Sequence, residues 1–330
     1  MNIAVIGSGV MGQNHLRNFA QMEGVEIVAI CDIDQKLGRK IAKLYKTKFY
    51  PDHRELLKRE DVNAVTIAVP TKFHHSVCMD FIKAKIPTLV EKPLALNTRQ
   101  AAELVKYARE KDIVFTVGHT ERFNPAILKL EELVSSGAFG DILSIVVKRV
   151  GLFVPRVKDI GVVVDLAVHD LDIICAISRK VPEAVFARGG NTFTKKQEDH
   201  AEIFLDYGNF GCFMQVNWVT PVKIRSLAIT GSRGYAELNY ITQKLEFYKT
   251  KFEEIGETKN FKDFVSKFGE PQKINVLIEK GEPLRLELEN FLNAACGVEK
   301  LKVSPEEALR AIMLSEKVLE SIKKGKLIKI

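Results

Sequence analysis

Residues Asn2-Ile3-Ala4-Val5-Ile6-Gly7-Ser8-Gly9-Val10-Met11-Gly12 decide how the first part of this chain folds. Asn2–Ile6 is apolar and β-branched enough for a buried strand, and it runs directly into Gly7-x-Gly9-x-x-Gly12 and a stretch of helical character. Each glycine then has a reason. Gly7 permits the tight turn, Gly9 lets the backbone approach a pyrophosphate, and Gly12 lets the helix pack close to the strand. Val10 and Met11 fall on the first turn of that helix, whose N–H groups and partial positive charge face the phosphates. Asp32 is the second mark of a dinucleotide site. It closes the next strand pattern, twenty residues after Gly12, where an acid takes the hydroxyls of the adenosine ribose. A carboxylate there repels a 2′-phosphate, which predicts NAD in preference to NADP. Lys36 and Arg39 are near enough in sequence to soften that preference, and read otherwise as solvated residues of the following helix.

Working outward, strand patterns at 26–31, near Phe49, and at 63–69, 87–91 and 113–117 alternate with helical patterns at 34–45, 52–58, 75–84 and 98–111. Such alternation predicts a parallel, doubly wound sheet. From about residue 120 the character changes. After a helix at 124–136, strand patterns at 142–150, 183–189, 201–207, 210–218, 225–230, 234–238 and 243–249 are interrupted by one helix at 165–178, and two amphipathic helices at 284–297 and 304–323 follow. The expected architecture is α/β: a Rossmann domain over 1–120, then an α+β domain over 121–330 with a mainly antiparallel open sheet.

The length of 330 residues suits two domains. With 49 Lys and Arg against 42 Asp and Glu, the formal net charge is +7, spread without a basic tail or arginine-rich run. That pattern fits anionic small ligands and predicts no nucleic-acid partner. Cys31, Cys78, Cys175, Cys212 and Cys296 lack C-x-x-C spacing and read as reduced core residues of a cytoplasmic protein. A strand starting at residue 2 and the lack of a long apolar run predict neither a signal peptide nor a membrane span.

Three clusters can carry chemistry. The fourth strand pattern ends at Pro70 and continues Thr71-Lys72-Phe73-His74, at the sheet edge where a cofactor ring would lie. Read plainly, Pro70 forms a loop and His74 starts a helix. The next strand ends Glu91-Lys92-Pro93, holding a lysine between a strand end and a proline; it is either a functional group or a surface lysine in a turn. Third, Asp165 and His169 are four residues apart, on one helical face, where a carboxylate can orient an imidazole; Asp172 is three residues further on. No further His or Cys at a useful spacing suggests a metal.

In this order, Gly7-x-Gly9-x-x-Gly12, Asp32, Pro70-x-x-x-His74, Glu91-Lys92-Pro93, Arg122-Phe123-Asn124-Pro125 and Asp165-x-x-x-His169 resemble the Gfo/Idh/MocA oxidoreductases, over nearly the whole chain. The resemblance implies an NAD-dependent dehydrogenase of a sugar or cyclitol hydroxyl. It implies Lys92, Asp165 and His169 at the reacting carbon, and Gly7, Gly9, Val10, Met11, Gly12, Asp32, Pro70, Thr71, His74, Glu91 and Lys92 about the cofactor. Residues 118–125 and 154–170 are similar to the branch that oxidises UDP-N-acetylglucosamine at carbon 3. Inositol and simple-sugar enzymes more often carry a glycine run before the Asp; this chain has Gly161-Val162-Val163-Val164. Arg122, Asn124, Arg149, Arg156 and Asp170 are the expected substrate contacts, and the basic residues Lys148, Arg149, Arg156 and Lys158 precede the catalytic helix, where a nucleotide-sugar diphosphate would need such partners. Lys148 and Arg149 are adjacent on a strand, so only one of them can face a given ligand. A homodimer or homotetramer through the second sheet is also implied. Two other readings stand: a dehydrogenase of an unactivated sugar or inositol, and a silent nicotinamide-sensing regulator.

Overall fold

β1 (Asn2–Ile6) lies inside a six-stranded parallel sheet, between β2 (Glu26–Cys31) and β4 (Ala64–Ile67). With β3 (Lys48–Tyr50), β5 (Thr88–Glu91) and β6 (Phe115–Gly118) the order is β3-β2-β1-β4-β5-β6. The order reverses between β1 and β4, so their carboxyl ends flank the crevice where a doubly wound sheet binds its ligand. Side chains of β1 alternate between two cores. Ile3 and Val5 join Leu16, Phe19, Leu288 and Phe291, whereas Ala4 and Ile6 join Val65, Phe81, Ala308 and Ile312. A strand buried on both faces needs this near-continuous apolar run. Four helices accompany the strands: α1 (Val10–Phe19), α2 (Gln35–Leu44), α3 (His74–Lys83) and α4 (Thr98–Glu110).

The computed structural model describes residues 1–59, 61–152, 160–194, 196–249 and 272–330. They form two units, Met1–Phe123 with Gly281–Glu316, and Asn124–Lys280 with Lys317–Ile330. The first boundary lies close to the expected cut after residue 120, but 281–316 group with the first unit. The reason is apolar burial: Leu284, Leu288, Phe291 and Leu292 of α7 (Pro283–Ala295) join one core of the parallel sheet, and Ala308 and Ile312 of α8 (Pro305–Lys324) join the other.

The second unit contains α5 (Pro125–Ser135), α6 (Val168–Ser178) and a nine-stranded sheet. Its strands are β7 (Ile142–Val150), β8 (Ala184–Gly190), β9 (His200–Asp206), β10 (Gly211–Asn217), β11 (Ile224–Gly231), β12 (Gly234–Asn239), β13 (Lys244–Lys249), β14 (Gln272–Asn275) and β15 (Ile328–Lys329), in the order β14-β13-β12-β11-β7-β10-β9-β8-β15. Only β7 and β10 pair in parallel; the other neighbours are antiparallel. Inward residues such as Ile145, Val147, Ile203, Leu205, Cys212 and Met214 are buried. On the opposite face Phe186, Phe204, Phe213 and Val146 stand in one cross-strand row. Of these, Phe204, Phe213 and Val146 are 42%, 46% and 48% exposed. β14 and β15 had no counterpart in the sequence reading, and Cys296, expected in a core, is exposed. Among the described residues no helix is long and apolar enough to cross a membrane.

Candidate active site

The glycine turn has the shape its sequence predicts. Gly7 adopts φ +95°, and a Cβ there would lie 2.5 Å from the Ala68 carbonyl oxygen; a Cβ on Gly12 would lie 1.8 Å from that of Gly7. Both glycines are therefore required by the protein's own backbone. Gly9 is different. No heavy atom comes within 4 Å of where its Cβ would be, so the space beside it is open on the outside of the turn. Gly9 also gives α1 no side-chain cap, and the first turn holds no acid. An uncapped helix start with a bare glycine beside it is an anion cradle, and NAD fits it.

Asp32 faces this turn. Its Oδ2 accepts hydrogen bonds from both the N–H and the hydroxyl of Ser8, each at 2.6 Å, and its Oδ1 accepts the Asp34 N–H at 2.8 Å. Ser8 is fully buried. The sequence reading passed over it, although a hydroxyl inside the glycine turn was the available signal.

Pro70 and Thr71 open a short 3-10 turn, Thr71–Phe73, just past β4. His74 is buried, with Nδ1 2.8 Å from the Pro93 oxygen and Nε2 2.9 Å from the Val69 oxygen. Burial depresses its pKa, against the two carbonyls, which favour the charged ring; burial is the larger effect. The ring thus lies between the end of β4 and the Glu91-Lys92-Pro93 turn, and as a neutral imidazole with one N–H it donates to only one of the two carbonyls. Lys92, at the end of β5, is half-buried. Glu91 points instead into the interior and meets Nε2 of His15 at 2.9 Å. Burial opposes the Glu91 charge, but His15, with Lys92 and His74 behind it, holds the carboxyl below its usual range. A second acid is buried close by: Glu287 of α7 accepts the Thr120 hydroxyl at 2.8 Å, and burial, with Glu91 adding to it, pushes its carboxyl well above the usual range.

The second unit carries the other candidates. Asp165 lies in a π-turn, Val163–Ala167, that runs straight into α6, and His169 follows in the first turn of α6. Wide π-turns of this kind recur at functional sites. Both side chains are half-buried.

Four of the five expected substrate contacts are engaged inside the protein. Arg149 grips Asp170 with two bonds, Nε to Oδ2 at 2.5 Å and Nη2 to Oδ1 at 3.0 Å, and the Tyr240 hydroxyl donates to the same Oδ1 at 3.0 Å. Asn124 caps α5 through Ala126 N–H and donates to the Tyr240 carbonyl. Arg122 reaches Glu307 at 3.3 Å and the Lys302 carbonyl. All four are at most 5% exposed, with their polar groups met by partners within the protein. Arg156, the fifth, lies outside the described residues. Among the described residues no group of three His, Cys, Asp or Glu is placed to hold a metal ion.

Residues 1–119 match the sequence pattern of an oxidoreductase family's NAD-binding Rossmann fold, GFO_IDH_MocA, and residues 131–330 match that family's C-terminal alpha/beta domain. The chain is 28% identical over 295 residues to UDP-N-acetylglucosamine 3-dehydrogenase of Acidithiobacillus ferrooxidans, which spans 89% of this chain and 88% of that protein. A solved structure of that dehydrogenase, GnnA, superposes with a TM-score of 0.85 at 25% identity, over 98% of each chain. Myo-inositol 2-dehydrogenase of Thermotoga maritima is 31% identical over 195 residues, 57% of this chain and 58% of that one. With both domains matched, and the glycine turn, Asp32 and the Glu91-Lys92-Pro93 turn in place, the chain belongs to the Gfo/Idh/MocA family of NAD-binding oxidoreductases.

Proposed function

We propose that this enzyme oxidises the 3-hydroxyl of a UDP-linked N-acetylhexosamine, with NAD as the electron acceptor. The supporting observation is extent of likeness: the UDP-N-acetylglucosamine 3-dehydrogenase is matched over 88% of its length, the inositol dehydrogenase over 58%. Bound NAD supplies the hydride acceptor for carbon 3. The remaining work belongs to side chains of this protein. His169 takes the hydroxyl proton, because an imidazole with a pKa of about 6.5 accepts protons near neutrality. Asp165, one helical turn before it, orients the ring or stabilises its cation. Lys92 donates a hydrogen bond to the reacting oxygen and favours alkoxide character as the proton leaves. Lys92 is the alternative base. The joint presence of Lys92, Asp165 and His169 favours turnover over a sensing role. Reduction of NAD on addition of UDP-N-acetylglucosamine, compared with unactivated sugars and myo-inositol, tests the reading.

We further infer a homo-oligomer through the open face of the nine-stranded sheet. The row Phe186, Phe204, Phe213 and Val146 is apolar, contiguous in register and largely uncovered, and a second copy of the same row is a self-complementary partner for it. Phe213→Glu should lower the mass measured by light scattering; an unchanged mass would count against this interface.

A further inference from the structure

The glycine before the Asp165 helix is there for space and not for backbone freedom. Gly161 is buried and its φ lies outside the left-handed region, so its conformation is open to any residue. A Cβ on it, however, would lie 2.0 Å from Oε1, 2.2 Å from Cδ and 2.3 Å from Oε2 of Glu198. The Glu198 carboxylate occupies the volume that any side chain at 161 would need.

Glu198 uses that position to hold two successive amides. Its carbonyl oxygen accepts the Val162 N–H at 3.0 Å, and its Oε1 accepts the Val163 N–H at 3.1 Å. These amides open the helical segment whose π-turn carries Asp165 and whose next turn carries His169. Opening N–H groups lack partners within their own helix, so an acceptor supplied from elsewhere fixes where the helix begins. Glu198 is itself well anchored. The adjoining Asp199 accepts the N–H groups of Thr192, Phe193 and Thr194 at 2.7, 2.6 and 3.0 Å, meets His200 Nδ1 at 2.9 Å, and receives the Trp218 N–H on its carbonyl at 2.9 Å. The clamp thus stands on the β8–β9 connection and the end of β10, beside the sheet.

We propose that Glu198 is a positioning residue for the reaction: through Val163, and in the space left by Gly161, it fixes the opening turn that presents Asp165 and His169. The inference rests on the catalytic reading of those two residues. It also accounts for the glycine that heads Gly161-Val162-Val163-Val164, since a Cβ at that position would meet the carboxylate.

The test uses Glu198→Ala, Glu198→Gln, Glu198→Asp, Gly161→Ala and the Gly161→Ala/Glu198→Ala double variant, read by amide hydrogen exchange over 162–169 and by turnover of UDP-N-acetylglucosamine, with NAD affinity and melting temperature measured alongside. Glu198→Ala and Glu198→Asp should lose exchange protection in the opening turn and lower kcat about tenfold or more, since small displacements of reacting groups are costly. NAD affinity should not change. Glu198→Gln keeps the acceptor and should restore both readouts to within about threefold. Gly161→Ala should behave like Glu198→Ala, and in the double variant it should add nothing, because the carboxylate it displaces is already absent. Protection lost with kcat unchanged would overturn the proposal, as would full additivity in the double variant or a kcat loss that merely follows a fall in melting temperature. If Glu198→Ala does not fold, the Asp and Gln pair carries the same comparison. Retained turnover in Asp165→Asn and His169→Ala would instead remove the catalytic reading, with the exchange result still deciding whether Glu198 holds the turn.

Discussion

Ser8 donates both its backbone N–H and its hydroxyl to one oxygen of Asp32, each at 2.6 Å. Two donors on Oδ2 fix the carboxylate against the glycine turn, where an adenosine ribose would lie. Asp32→Ala should therefore weaken NAD binding and narrow the preference for NAD over NADP. Ser8→Ala, which leaves the N–H bond and the charge, should do the same to a smaller extent. Titration of both cofactors into wild type and variants checks this, and equal wild-type affinity for NAD and NADP would refute it.

Loss of His169 or Lys92 should affect chemistry and leave cofactor binding intact. General acid–base groups contribute about 10²–10⁴-fold, so His169→Ala and Lys92→Ala should each lower kcat in that range, with NAD affinity within about twofold of wild type. A loss under tenfold in either variant returns that residue to a structural role. Asp165→Asn should stay folded and turn over more slowly.

Glu287 gives a pH signature. Its carboxyl is pushed well above the usual range by burial and then by Glu91, against the bond from Thr120, while Glu91 itself stays charged beside His15. Below the unfolded-state pKa, about 4.3, folded and unfolded chains both hold the proton. Above it the unfolded chain releases the proton and the folded chain keeps it, so stability falls as pH rises toward the folded pKa. Glu287→Gln has no proton to release. Urea midpoints should show wild type losing ground to Glu287→Gln as pH rises from about 4 to 8; a difference that does not change with pH would contradict the assignment.

Asp170 separates a scaffold role from a substrate role. Removing it leaves the Arg149 guanidinium, 3% exposed, without its carboxylate. Stranding a buried charge costs about 3–5 kcal/mol, so Asp170→Ala should be strongly destabilised in urea. A ligand-contact residue would instead show wild-type stability and a raised KM.

These cases mark where the sequence was legible. The first sheet could be read because its evidence is local: a β-branched run, a glycine turn and an acid twenty residues on all act within a short length of chain. The return of α7 and α8 to that sheet could not be read, because an amphipathic helix shows that it will bury a face without showing where. β14 escaped for a related reason: its four residues are all exposed, so no apolar alternation marks it. Strand alternation did place Lys148 and Arg149 on opposite faces, and Arg149 is the buried one. Its partner was beyond reach of the sequence, since a basic residue before a catalytic motif looks the same whether it meets a diphosphate or Asp170. Glu198 was hidden because it is 33 residues from Asp165 in sequence and acts through backbone amides that any residue provides.

The most direct measurement is the formation of reduced nicotinamide by the purified protein with UDP-N-acetylglucosamine, free N-acetylglucosamine, glucose and myo-inositol, each with and without 2-oxoglutarate as an acceptor that would regenerate tightly held NAD. The nucleotide should supply binding energy that positions carbon 3, so kcat/KM should be highest for the UDP-sugar and fall steeply when the UDP is removed. A higher kcat/KM for myo-inositol or a free hexose than for UDP-N-acetylglucosamine would contradict the proposed substrate, while leaving the protein an oxidoreductase of its family.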